Sequence, residues 1–285
     1  MNLADMIEGH VDDRVALISR NRETTYGELR DQVARLRGGL SAAGVRQGDR
    51  VAIMCGNNRY FVITYLATLG IGAVAVPLNP SSPAHELEDQ LATVEPTTVV
   101  VGPAAMSSWS QVDRSLVPSV ERVVIAEGEA ADEVTTISDL LGAEPVPMVD
   151  VDPDHLAALI FTSGTAGRSK AAMLSHGNLA SNIEQGNTIT DRTRAGDVVY
   201  SVLPMFHIFG LNVALGVSLS VGATVLLVQR FDPATAVQSI VQRQVTVVPG
   251  APPMWIAFSH FDELPADAFA SVRLPLSGAS RLAPA

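Results

Sequence analysis

The sequence predicts an α/β protein assembled from parallel βαβ units. Short apolar runs of strand length, at Val51 to Met54, Val74 to Val76 and Thr98 to Val101, alternate with segments of helical periodicity. Strands separated by helices of roughly 10–15 residues pair in parallel, because a parallel crossover needs that length. Of the 285 residues, 47% are hydrophobic and 17% charged, enough apolar surface for a core and too much for disorder. Length alone suggests about two domain-sized units, at roughly 100–200 residues each.

The elements follow in order. Thr25-Tyr26-Gly27-Glu28 has capping-box spacing, and Leu29, Val33, Leu36 and Leu40 recur at helical intervals until Gly44 ends the helix. After the strand at Val51 come a helix from about Tyr60 to Leu69, a strand stopped by Pro77, and a helix near Ala84 to Thr93. Residues 102–151, rich in Pro, Ser, Glu and Ala, read as a weaker connecting region with one strand at Arg122 to Ile125. Leu156 to Phe161 is again strand-like, Ala172 to Leu174 resumes the pattern, and Ser175 is the expected N-cap of a helix reaching Gln185.

Between Asp197 and Arg230 there is no charged side chain, a stretch long enough to span a bilayer. Pro204, His207, Asn212, Ser218, Ser220 and Gly222 interrupt it. It parses as a strand at Val198 to Val202, a loop, a helix at about Gly210 to Ser220, a turn at Gly222 and a strand at Thr224 to Val228. The expectation is buried α/β core and no transmembrane segment.

Composition excludes several functions. A net charge of −11 argues against a nucleic-acid binder, which needs clustered Lys and Arg to neutralise phosphates. The single cysteine, Cys55, cannot form an internal disulfide, and Met1 to His10 lacks the basic and apolar regions of a secretion signal, so the expected compartment is the cytoplasm. Six dispersed histidines and the lack of a His-Glu-x-x-His pattern suggest no protein metal site.

Of the 19 basic side chains 18 are arginine, leaving Lys170 as the one lysine. It ends the run Thr162-Ser163-Gly164-Thr165-Ala166-Gly167-Arg168-Ser169-Lys170, on a loop leaving an apolar strand. Glycines let backbone N–H groups turn toward an anion, hydroxyls donate hydrogen bonds, and an ammonium supplies a compact positive charge, so the loop suits phosphates. The alternative is a Gly/Ser-rich surface turn, which gives the unique lysine no role. Walker spacing fails, because Lys170 follows Ser169 and precedes Ala171, and no Gly-x-Ser-x-Gly elbow occurs.

The loop resembles the signature of the adenylate-forming superfamily of acyl-CoA synthetases, luciferases and peptide-synthetase adenylation domains, roughly Thr-Ser-Gly-Thr-Thr-Gly-x-Pro-Lys-Gly. Ala166, Ser169 and Ala171 depart from that pattern, removing one donor and some rigidity. Four further stretches agree in order: Thr24 to Leu29, Leu69 to Pro80, Leu203-Pro204-Met205-Phe206-His207-Ile208-Phe209-Gly210, and Ser277-Gly278-Ala279-Ser280-Arg281-Leu282, where Arg281 replaces a usual proline.

The resemblance implies the large N-terminal domain of an adenylate-forming enzyme: two stacked α/β subdomains in αβαβα layers, with the C-terminal domain absent. One subdomain is expected around residues 60–202, and the other from 1–55 with 203–285. The implied activity is ATP-dependent conversion of a carboxylic acid, a fatty acid by expectation, to acyl-AMP and then to a thioester with CoA, with Mg²⁺ as the counter-ion of ATP. Thr162, Ser163, Gly164, Thr165, Gly167 and Lys170 would hold phosphates, Lys170 and His207 being catalytic. Gly278, Ala279 and Ser280 would lie along adenine, and Phe206, His207, Trp255 and Gly278 would shape the acyl pocket. Core packing is an equal reading for Trp255. Since such enzymes are longer, the chain is expected to be a piece of one and inactive alone. Two other functions remain open: a fatty acyl-AMP ligase loading a carrier protein, and a truncated non-catalytic binding or assembly module.

Overall fold

The computed structural model describes residues 1–128, 134–162, 170–189 and 192–281. In chain order its strands are β1 (Val15–Ser19), β2 (Arg22–Thr25), β3 (Arg50–Met54), β4 (Val74–Pro77), β5 (Thr98–Val101), β6 (Arg122–Ile125), β7 (Thr135–Thr136), β8 (Leu156–Thr162), β9 (Lys170–Ser175), β10 (Val198–Ser201), β11 (Thr224–Leu227), β12 (Val247–Gly250) and β13 (Leu274–Ser277). They form a seven-stranded sheet in the order β7-β6-β5-β3-β4-β8-β9 and a six-stranded sheet in the order β13-β12-β10-β11-β1-β2. Pairing is parallel except for β8 with β9 and β1 with β2. The fold is α/β, and the chain divides into two units: Met1–Asp5 with Glu28–Ser181, and Met6–Gly27 with Asn182–Ala285.

In the first unit β4 and β5 are buried along their whole length, as expected of parallel strands covered on both faces. Val74, Val76, Val99 and Val101 share a core with Leu87, Leu91 and Val94 of the Ala84–Val94 helix. The Arg59–Ile71 helix packs on β3 and β4 and is buried from Phe61 to Ile71, a helix apolar all round because both its sides are covered. Asn58 caps its start by accepting from the Phe61 N–H, and Gly72, at φ 76°, turns the chain out of it. Leu29, Val33, Leu36 and Leu40 of the Tyr26–Ala42 helix are all buried.

The second unit shows the alternation of a covered sheet. Ile18, Tyr200, Leu226 and Val248 face one way, into a core with Ala236 and Ile240 of the Pro233–Gln242 helix and Met254 and Phe258 of the Pro252–Ser259 helix. Val199, Val247 and Leu274 cluster separately.

Three features differ from the sequence expectation or go beyond it. Residues 28–55 belong with the first unit rather than with 203–285, because β3 pairs with both β4 and β5 in the middle of that sheet. Lys170–Ser175 turns back antiparallel on β8, an orientation that the strand-like run at Ala172 to Leu174 left open. The segment after His207 is a π-helix, Phe209–Val217, before a last α-turn at Ser218–Ser220. Its run of apolar residues, broken only by Asn212, has no polar stripe from which a wider turn could be read. Among the described residues no helix is long and apolar enough to cross a membrane.

Candidate active site

In the first unit, β8 runs from buried Ala157–Ile160 to exposed Thr162, and β9 starts at exposed Lys170. Thr162 and Lys170 are register partners, and the Thr162 Oγ1 donates to the Lys170 carbonyl at 3.5 Å. The sheet therefore holds together the two ends of the predicted phosphate segment. Ser163, Gly164, Thr165 and Gly167 lie outside the described residues. Ser175 caps the following helix as expected: its Oγ accepts from the Asn178 N–H at 3.1 Å, and its own N–H donates to Asn178 Oδ1 at 3.1 Å.

At the start of that helix His176 is fully buried, its Nδ1 accepting from the Leu3 N–H at 3.0 Å while its Nε2 finds no partner among the described residues. Burial, then the neighbouring His155 and N-terminal ammonium, push its pKa down to about 4. The ring is a neutral packing element.

In the second unit, parallel strands bring their following segments to one edge of the sheet, the usual place for ligand sites in α/β folds. Leu203 and Met205, both buried, anchor the chain leaving β10, Phe206 is half-buried, and His207 is exposed. The His207 N–H donates to the Pro204 carbonyl at 3.0 Å, and its carbonyl accepts from the Leu211 N–H at 2.9 Å. Its Nδ1 accepts from the Phe209 N–H at 3.2 Å, so the neutral ring carries its proton on Nε2 and offers a donor outward. Only a glycine fits at position 210, where a Cβ would stand 2.2 Å from the Pro204 carbonyl oxygen.

The Gly278 N–H donates to the Gly250 carbonyl at 3.1 Å, extending the β12–β13 pairing to the same edge. A Cβ at Gly278 would lie 2.6 Å from Cζ of Phe209, so that ring packs directly on the glycine. Ala279 follows at φ 68°, a left-handed conformation costly for a non-glycine residue, and Ser280 is exposed. Trp255, half-buried, leans on Phe258 with ring centroids 6.1 Å apart, and its buried Nε1 has no partner among the described residues. The structure thus gathers His207, Trp255 and Gly278 at one edge and adds Phe209. Sequence reasoning passed over Phe209, although its place two residues after His207 could have flagged it.

Beneath the π-helix lies a cavity of about 270 Å³, floored by Val199, Val247 and Leu274 and roofed by Val213 and Val217. Phe206, His207, Trp255 and Gly278 do not line it. Leu276, two residues before Gly278, and Val213, four after Phe209, do. The Phe209 ring itself packs against the core of Tyr200, Leu226 and Val248 on the other face of the sheet.

A buried charge cluster fixes the opposite edge. Asp197, just before β10, accepts from Thr246 Oγ1 at 2.8 Å, the Arg194 N–H at 2.6 Å, Arg273 Nε at 2.9 Å and Arg273 Nη2. Burial alone would raise the Asp197 pKa, but the Arg273 and Thr246 hydrogen bonds, the Arg194 N–H and the Arg273 charge outweigh it and hold the carboxyl below its usual range. The cluster ties together the residues that precede β10, β12 and β13. Among the described residues there is no group of three or more His, Cys, Asp and Glu side chains that could hold a metal ion.

Residues 4–285 match the family model described as AMP-binding enzyme. The 4-coumarate–CoA ligase 1 of Oryza sativa subsp. japonica is 33% identical over 273 residues, covering 90% of this chain and 47% of that protein. A long-chain-fatty-acid–CoA ligase of Bacillus subtilis (strain 168) is 28% identical over 297 residues, covering 95% and 53%. The crystal structure of ATP-bound MatB from Rhodopseudomonas palustris superposes with a TM-score of 0.84 at 29% identity, covering 99% of this chain and 56% of that one. The chain spans about half the length of the curated relatives it matches.

Proposed function

The chain belongs to the AMP-binding enzyme family, and from that premise we propose that it serves the ATP-dependent activation of an apolar carboxylic acid, a fatty or aryl acid, as its CoA thioester. A carboxylate oxygen attacks the α-phosphorus of ATP, the bond to pyrophosphate breaks, and acyl-AMP forms. The CoA thiolate then attacks the acyl carbon and AMP leaves.

The observation that carries this reading is the apolar cavity lined by Leu276 and Val213, two residues before Gly278 and six after the exposed His207. In our reading the acid's tail enters the cavity and its carboxylate stays at the strand ends. There His207 Nε2–H donates to it and orients it, helped by the hydrogen bond that holds its Nδ1. Gly278, Ala279 and Ser280 flank the adenine. Lys170, with the segment from Thr162 through Gly167, binds the triphosphate and stabilises charge developing on pyrophosphate. The described residues supply no cage for Mg²⁺, an ion that commonly relies on substrate phosphates for ligands.

A carrier-protein thiol in place of CoA is the second reading, and release of AMP by each acceptor separates the two. The test of the main reading is acid-dependent exchange of pyrophosphate into ATP by the full-length protein. His207→Ala should depress that exchange while ATP affinity, measured by calorimetry, stays within about twofold, a surface-like change of under ~0.5 kcal/mol. Exchange that needs no acid, or none at all with any apolar acid, would refute the assignment.

A further inference from the structure

The cavity's size and its far end specify more than an apolar acid. An apolar cavity of roughly 150 Å³ takes one benzene, six non-hydrogen atoms, or about 25 Å³ per atom. On that scale the 270 Å³ cavity holds about eleven. A long-chain acid would overfill it.

The strand register gives the direction of travel. Pro249 and Leu276 are partners one residue short of the strand ends, and Val247 and Leu274 are partners two residues further back, about 7 Å at the usual rise per residue. All four line the cavity. Beyond them lie Arg192 and Thr193, which also line it, Arg192 being fixed by its carbonyl accepting from Arg273 Nη2 at 2.8 Å.

This far end is rich in donors. Thr193 is 6% exposed and its hydroxyl has no partner among the described residues. Arg192 is exposed, and its guanidinium, which can only donate, has no hydrogen-bond or ion-pair partner among them either. Asn182 also lines the cavity, but on its strand-end side, where its Oδ1 accepts at 2.8 Å from Nδ2 of Asn212, the residue before Val213. Among the described residues no acidic side chain lines the space.

Resting on the reading of this cavity as the acyl site, we propose that the substrate is a medium-length acid, with about eleven non-hydrogen atoms inside the cavity, whose far end bears a hydrogen-bond acceptor, best a second carboxylate. Arg192 and Thr193 are then the residues that select the tail.

Calorimetric titration of the full chain with octanoate, decanoate, tetradecanoate and octanedioate tests this. Affinity should rise about fourfold per methylene from octanoate to decanoate, then gain less than about fourfold in total to tetradecanoate. Octanedioate should bind about fivefold more tightly than octanoate, the scale of a partly exposed ion pair. Arg192→Leu should erase that preference and Arg192→Lys should keep part of it. Octanoate equal to or tighter than octanedioate would overturn the tail assignment, and a continued rise to tetradecanoate would overturn the size limit. If no acid binds, the acyl-site reading itself fails along with both.

Discussion

The Phe209 ring occupies the space that a side chain at Gly278 would need, with Cζ 2.6 Å and Cε1 2.7 Å from a Cβ built there. Gly278→Ala should therefore displace the ring without unfolding the chain, since an aromatic ring can rotate where backbone cannot. The expected result is a rise of about tenfold in KM for the acid. A second change, Phe209→Leu, should recover most of it by making room. Normal KM in Gly278→Ala would mean that the ring has no bearing on the acid site.

Lys170 is exposed at the start of β9, so Lys170→Ala should leave stability within about 0.5 kcal/mol. In the full-length protein it should lower pyrophosphate exchange by roughly 10²–10³, the loss expected for one preorganised donor. Lys170→Arg keeps the charge yet should rescue poorly, because a planar fork is not a compact ammonium. If arginine restored most of the exchange, the lone lysine among 18 arginines would be a compositional accident.

Asp197 and Arg273 hold the starts of three strands, and Asp197→Ala would leave the arginine and Thr246 without their acceptor. With Arg273 30% exposed, the cost should be about 2–3 kcal/mol, below the 3–5 of a fully buried pair. Urea denaturation reads it directly. A loss under about 0.5 kcal/mol would show that the cluster is marginal.

Burial lowers the His176 pKa from 6.5 to about 4, so the folded chain resists protonation that the unfolded chain accepts. Its contribution to stability is complete above about pH 6.5 and declines as pH falls toward 4, by about 2 kcal/mol at pH 5. His176→Asn should flatten that part of the stability profile. Asp197 acts the same way but at lower pH, chiefly below its usual 3.8, so above about pH 5 the slope belongs to His176. An unchanged slope between pH 6.5 and 5 in His176→Asn would assign the acid sensitivity elsewhere.

Much of this molecule was legible in its residues. Thr98–Val101 and Arg122–Ile125 occur as strands with the bounds their apolar runs suggest, and Ser175 caps its helix because a hydroxyl before a helical pattern has that use. What escaped is what depends on distant partners. Asp197 and Arg273 are 76 residues apart, and no local pattern pairs them. His176 reads as an ordinary first-turn residue until Leu3 is found against it. Phe209 gains its meaning from Gly278, nearly 70 residues later in the chain.

The pairing of Thr162 with Lys170 has one more consequence. Among the described residues β9 has a neighbouring strand on one side only, and the last rung of its ladder is formed by the two residues that flank the proposed phosphate-binding segment. A strand with a free side frays from its ends, and amide exchange follows that fraying. A nucleotide gripping both ends would act as a clasp on the border of the sheet. Occupancy should then be audible at a distance, as slowed exchange of the amides from Ala171 to Leu174, none of which needs to touch the ligand.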